Sequence, residues 1–173
     1  MERHDWNARL AALRSGDMAA FEEIYEELKT PAYTVILRIL RDEALAEDVL
    51  QEVFVKLYLS PPPENVRSPR AYLLQSAHNL AIDCARRQRP AVPFEEVEAT
   101  AGSGERDVEL KLDLENAIAS LPAVDSQIVT LHLNGGLPFR ETARILHLPL
   151  GTALWRYRRA VARLRSLLTG GAV

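Results

Sequence analysis

Five arginines fall within ten positions near the C-terminal end, at 156, 158, 159, 163 and 165, and no acid stands among them. Guanidinium groups at that density neutralise phosphates, and their planar forks match the edge of guanine in a major groove. On a helix of LPLGTALWRYRRAVARLRSLL, Thr152, Arg156, Arg159 and Arg163 share one side, with Arg158 and Arg165 flanking it. Ala153, Tyr157, Ala160, Val161, Leu164 and Leu168 form the apolar stripe behind them. Trp155 projects onto the arginine side, where a large ring needs a partner: thymine methyls, the first helical block when the protein is free, or another protein. The plainer reading is a solvated helix whose arginines complement its dipole.

Two further faces carry chemistry. In SPRAYLLQSAHNLAIDCARRQRP, Leu73, Ala77, Leu80, Ala81 and Cys84 make a core stripe. Tyr72, Gln75, Asn79, Asp83 and Arg86 share the opposite side, beside Arg86-Arg87-Gln88-Arg89. An aromatic ring accepts an unstacked base, amides read base edges and arginines take phosphates. An ordinary polar helix face is the competing reading. In AEDVLQEVF, Val49, Leu50, Val53, Phe54 and Leu57 gather on one side of a helix, and Asp48, Gln51 and Glu52 on the other. The apolar side needs a core. The acidic side needs water or a partner.

The elements that must hold these faces are all helical. Gly16-Asp17 starts one, with Phe21, Ile24, Tyr25 and Leu28 at helical spacing. Pro31 is expected to interrupt it. A second run, Tyr33 to Leu40, leads through Arg41-Asp42-Glu43 into a helix ending near Leu59. SPPPENVRSP forbids regular helix, and Ser68-Pro69 then caps a helix to about Arg89. Residues 90–108 read as an acidic tether whose extended reach is roughly 60 Å. Beyond it, helices are expected at about 109–120, 123–134, 138–147 and 150–168, the last two as a helix-turn-helix around Leu148-Pro149-Leu150. The chain therefore divides into 1–89, 90–108 and 109–173.

Composition narrows the classes further. The chain has 173 residues and a net charge of −3, but the charge is uneven. Residues 1–89 carry 12 basic and 14 acidic side chains, 90–116 carry 2 and 8, and 117–173 carry 7 and 2. A basic end behind an acidic middle suggests a tail that faces nucleic acid. Cys84 is the only cysteine, which excludes an intramolecular disulfide and a cysteine-rich zinc site. His4, His78, His132 and His147 lack metal-ligand spacing, and no phosphate loop or nucleophile elbow appears. No metal, cofactor or catalysis is expected. The N-terminus lacks a secretory signal, and PAYTVILRIL is too short to cross a bilayer, so a cytoplasmic protein without membrane insertion is expected.

In order and spacing, AEDVLQEVF, SPRAYLLQSAHNLAIDCARRQRP, the acidic tether and the GT…R…RA…R helix resemble a bacterial RNA polymerase sigma factor of the extracytoplasmic-function (ECF) type. Residues 14–90 resemble the family's second conserved region and 112–168 its fourth. The resemblance implies two small all-α domains, core RNA polymerase and promoter DNA as partners, and promoter-specific initiation without catalysis. It places Asp48, Gln51 and Glu52 on the polymerase clamp. Asn65, in the proline-rich loop, lies where a flipped −10 base is captured; Tyr72, Gln75, Asn79 and Arg86 lie along the −10 element. It assigns Arg140, Thr152, Trp155, Arg156, Arg159 and Arg163 to the −35 element. It sends the acidic tether through the RNA exit path, and makes an anti-sigma protein an expected partner and the free chain a monomer.

Five positions depart from the family pattern. Ala153, Leu154 and Trp155 stand where valine, a basic residue and a small polar one are common. Pro138 replaces a frequent capping serine, and Tyr72 a frequent tryptophan. Trp155 on the arginine side keeps a second reading open, a sigma-like adaptor that binds a regulatory protein and no DNA.

Overall fold

Asp17 accepts a hydrogen bond from the Ala19 amide at 2.9 Å, and Asp42 one from Leu45 at 2.9 Å. Both are N-caps that satisfy donors a helix start leaves open. Between them Arg41 turns the chain in the left-handed region at φ 54°. In the computed structural model, which describes residues 3–88 and 106–170, these caps punctuate the first of two compact units, Met1–Arg89 and Pro90–Val173. The described residues of the first unit form α1 (Arg3–Arg14), α2 (Met18–Leu40), α3 (Glu43–Leu59) and α4 (Pro69–Gln88).

Helix α2 is the hub, packed by α1, α3 and α4. Pro31 lies inside it and does not end it, contrary to expectation. An interior proline costs about 3 kcal/mol. Ile24, Leu28, Ala32, Val35 and Ile36 are all buried along one face that spans the proline, and each large aliphatic contributes about 1.5–3 kcal/mol. Burial wins, because breaking the helix at Pro31 would take half of that face out of the core.

Helix α1 was not expected, although Trp6, Leu10 and Leu13, all buried, carry the spacing of an amphipathic helix. Its Arg9 pairs with Glu27 at 2.8 Å and Glu23 at 3.1 Å, and Glu27 also meets Arg70 of α4 at 3.1 Å. One half-buried carboxylate thus ties three helices together. Ser68 receives the Ala71 amide at 3.3 Å and starts α4 on Pro69, as expected.

The second unit contains α5 (Arg106–Ala119), α6 (Ala123–Val129), a π-helical turn (Thr130–Asn134), α7 (Phe139–Ile145) and α8 (Leu150–Leu168). Most of the expected tether lies outside the described residues, and its last three positions already belong to α5. The helix expected over 123–134 spans those residues, but its last five are π-helical. From Thr130 it widens, and the Gly135 amide donates to the Thr130 carbonyl five residues back at 2.9 Å. His132 Nδ1–H then donates to the Leu137 carbonyl at 2.7 Å. Its ring stacks on Phe139 at 3.9 Å, and Tyr157 meets both rings edge-on at 5.1 and 4.8 Å. The π turn, α7 and α8 are locked through three aromatic side chains.

The turn between α7 and α8 is a Schellman motif. Leu148 donates to Ala143 at 2.9 Å, His147 to Arg144 at 3.2 Å, and His147 takes the left-handed conformation at φ 54°. Ala117, Ile118, Leu121 and Val129 pack with Ala160 and Leu164 of α8. The stripe on α8 ends there: Leu168, expected in the core, is 44% exposed. Among the described residues, no helix is long and apolar enough to cross a membrane, and no cluster of His, Cys, Asp or Glu could hold a metal ion.

Candidate nucleic-acid and protein interfaces

Asp48, Gln51 and Glu52 are exposed on α3, and Val49, Val53, Phe54 and Leu57 are buried behind them. The apolar anchors fix the rotation of the helix, so the acidic row faces outward by construction. Val55 and Leu59 extend the row, the latter 74% exposed. Glu52 pairs with Lys56 at 3.1 Å, and both are about half exposed. Such a pair contributes about 0.3–0.5 kcal/mol and yields to a stronger partner. Beside it, Phe21, Tyr25, Phe54 and Tyr58 form an aromatic cluster between α2 and α3, with ring centroids 4.8–6.3 Å apart.

On α4, Tyr72, Asn79 and Arg86 are exposed and Gln75 is half-buried. Tyr72 also lines an open cleft of about 320 Å³ with Val53, Lys56, Leu57, Ser60, Leu73 and Ser76. The cleft combines an aromatic ring, an apolar floor, two hydroxyls and an ammonium group. Asn65 is exposed in the neighbouring loop and does not line it.

The loop itself is anchored from α1. Arg14 donates to the Pro62 carbonyl from Nε at 3.1 Å and again from Nη2, and Pro62 is buried. The Val66 amide closes a turn onto the Pro63 carbonyl at 3.1 Å. A hydrogen bond from a charged group contributes about 1.5–3 kcal/mol. Arg14→Ala is therefore expected to speed hydrogen exchange at the Val66 amide by about tenfold or more, with the amides of α2 and α4 unchanged. Unaltered exchange at Val66 would show that the prolines alone hold the loop.

On α8, Arg159 and Arg163 are exposed, Thr152 is half-buried in the first turn, and Arg140 is exposed on α7. Trp155 is 56% exposed, with the Arg159 guanidinium over its ring at 5.1 Å. That stack gives the indole an intrahelical partner. Arg156 is less free than its position on the helix suggests. Its Nη1 donates to Asp125 of α6 at 2.8 Å, and Arg159 approaches the other carboxylate oxygen at 3.8 Å. Asp125 was not among the residues expected at this face. The available signal was its rarity, since Asp125 and Glu141 are the only acids in residues 117–173. Glu141 is taken by Arg144 at 3.1 Å on its own helix.

Two helical units, one with an outward acidic helix and one with an arginine-bearing helix-turn-helix, define a class. A family model for sigma-70 region 2 matches residues 24–91, and one for sigma-70 region 4 matches residues 111–164. The chain belongs to the sigma-70 family.

Its relatives make it an ECF-type sigma factor, an initiation factor and not an enzyme. It is 29% identical over 176 residues to the ECF RNA polymerase sigma factor SigK of Mycobacterium bovis (strain BCG / Pasteur 1173P2), covering 95% of this chain and 94% of that protein. It is 28% identical over 177 residues to SigW of Bacillus subtilis (strain 168), covering 92% and 95%. Among solved structures, CnrH in complex with the cytosolic domain of CnrY superposes with a TM-score of 0.69 at 21% identity, over 96% of this chain and 98% of that one. RpoE from Bartonella quintana, in complex with the anti-sigma factor NepR, gives 0.66 at 21% identity, over 86% and 96%. At those identities the superpositions speak for the fold.

Proposed function

We propose that this chain binds core RNA polymerase through α3 and then directs initiation by reading a −10 element with α4 and its preceding loop and a −35 element with α8. The observation that carries the reading is the acidic row of Asp48, Gln51 and Glu52, turned outward by the buried residues behind it. Carboxylates and an amide suit a basic protein surface, where complementarity sets encounter rate and partner choice.

On α4, Tyr72 offers a stacking platform, Gln75 and Asn79 offer amides, and Arg86 meets the backbone. Asn65 approaches the flipped base from the loop, and the cleft beside Tyr72 is large enough to receive one. Unstacking a base costs a few kcal/mol, which such contacts offset. On the second unit, Thr152, Trp155, Arg156, Arg159 and Arg163 meet the −35 element, with Arg140 near the phosphates. Two DNA contacts carried on one chain gain effective affinity without any new contact.

Both solved neighbours were captured with a protein partner, CnrH with CnrY and RpoE with NepR. An anti-sigma protein is proposed here too, as the factor that withholds the chain from polymerase.

Core polymerase plus this chain is expected to start transcription at the promoter of the neighbouring operon, which core alone ignores. A run-off assay without any gain would overturn the proposal. The exposed indole of Trp155 favours one rival, an adaptor that holds a regulatory protein and binds no DNA. That rival predicts no enrichment of promoter duplex by the chain with polymerase, and unchanged capture of the regulator after the arginines are removed.

A further inference from the structure

We infer that Asp125 is a positioning residue for −35 readout, holding Arg156 and, with Trp155, Arg159 in the orientations that discriminate bases; the inference rests on the promoter-binding reading above. The Asp125 side chain is 2% exposed, and its two oxygens divide between the two arginines at 2.8 and 3.8 Å. Arg156 is 32% exposed at its side chain; its Nε is buried without a hydrogen-bond partner among the described residues, and its Nη1 is committed to Asp125. Only the remainder of that guanidinium is left for a base edge, in a plane that the protein has already chosen. Arg159 lies over the face of the indole, with the carboxylate 3.8 Å away as a longer-range attraction.

The place of Asp125 in the first turn of α6 favours that helix, but it requires no ion pair with α8. A buried ion pair is generally no better for folding than apolar side chains of similar volume. On α6 Asp125 is followed by the buried Ser126, Gln127, Ile128 and Val129. Its distinguishing effect is geometric. A long side chain with four rotatable bonds reads a base well only if its rotamer is settled before contact, since ordering at the interface weakens binding. The carboxylate also removes one unit of positive charge from the face, which lowers attraction to any phosphate whatever the sequence.

Geometry and charge thus pull specificity in the same direction. Without Asp125, the arginines would bind duplex DNA more readily and discriminate it less well.

The test uses the reconstituted holoenzyme and a pool of promoter duplexes randomised across the −35 element, with the bound fraction sequenced. Asp125→Asn removes the charge. Asp125→Glu keeps the ion pair, and with it the fold, but displaces the guanidinium by about one methylene. Both variants are expected to lose about tenfold of the enrichment at one or two adjacent base pairs, with preference at the remaining positions retained. Asp125→Asn should also bind non-specific duplex a few-fold more tightly. A folded variant with wild-type preference at every position overturns the inference. So does a uniform loss of specific and non-specific binding together, which is the mark of a purely structural residue. Wild-type holoenzyme without any −35 preference would instead bring down the promoter-binding reading, and the inference with it.

Discussion

The double substitution Asp48→Lys and Glu52→Lys is expected to weaken assembly with core RNA polymerase by a hundredfold or more, about 3 kcal/mol or above. Like charges brought face to face cost several kcal/mol, and the reversal converts two attractive contacts into two repulsive ones. Both side chains are exposed and their helix is held from behind by Val49, Val53 and Leu57, so the fold is expected to survive. The local cost is loss of the Glu52–Lys56 pair and a like-charge i,i+4 pair in its place, each a few tenths of a kcal/mol. Circular dichroism should match the wild type while the polymerase complex disappears from gel filtration. Raising the salt concentration should weaken wild-type assembly and partly restore that of the variant, because screening weakens attraction and repulsion alike between exposed charges. Undiminished assembly by the variant would remove the basis for giving α3 a partner.

The second large effect concerns α8. Arg159→Ala with Arg163→Ala is expected to weaken holoenzyme binding to a promoter duplex by about a hundredfold near physiological salt. Each arginine lost from a phosphate should also lower the slope of log affinity against log salt by about one. Both residues are exposed, and Leu164 and Ala160 anchor the other side of the helix, so unit stability should change little. The pair also separates two roles. Loss of Arg163 is expected to act uniformly across sequences, as a phosphate contact does. Loss of Arg159 also removes the stack on Trp155 and should relax sequence preference. Unchanged affinity and slope in the double variant would mean that this arginine row is only a solvated face, and the adaptor reading would then stand.

Much of this was visible in the chain alone. The period of 3.6 residues identified α3, α4 and α8, because burial on one side is a property of spacing and needs no partner to be named. The caps at Asp17 and Ser68 were readable for the same reason, since each acts within two or three residues of itself. Local chemistry misled where the core had the deciding vote. Pro31 marks a break by every local rule, yet a continuous buried face outweighs it.

Trp6, Leu10 and Leu13 already carried the spacing of a helix. The widened turn at Thr130 had no such signal, as it depends on His132 finding the Leu137 carbonyl and the rings of Phe139 and Tyr157.

The contact between Asp125 and Arg156 shows the limit most clearly. Periodicity put Arg156 on the polar side of α8 and could go no further, because its partner lies 31 residues away on another helix. Spacing along one helix determines which side chains face outward together. Only the packing of one helix on another determines which of them are already held, since that depends on a distance in space that no local pattern encodes.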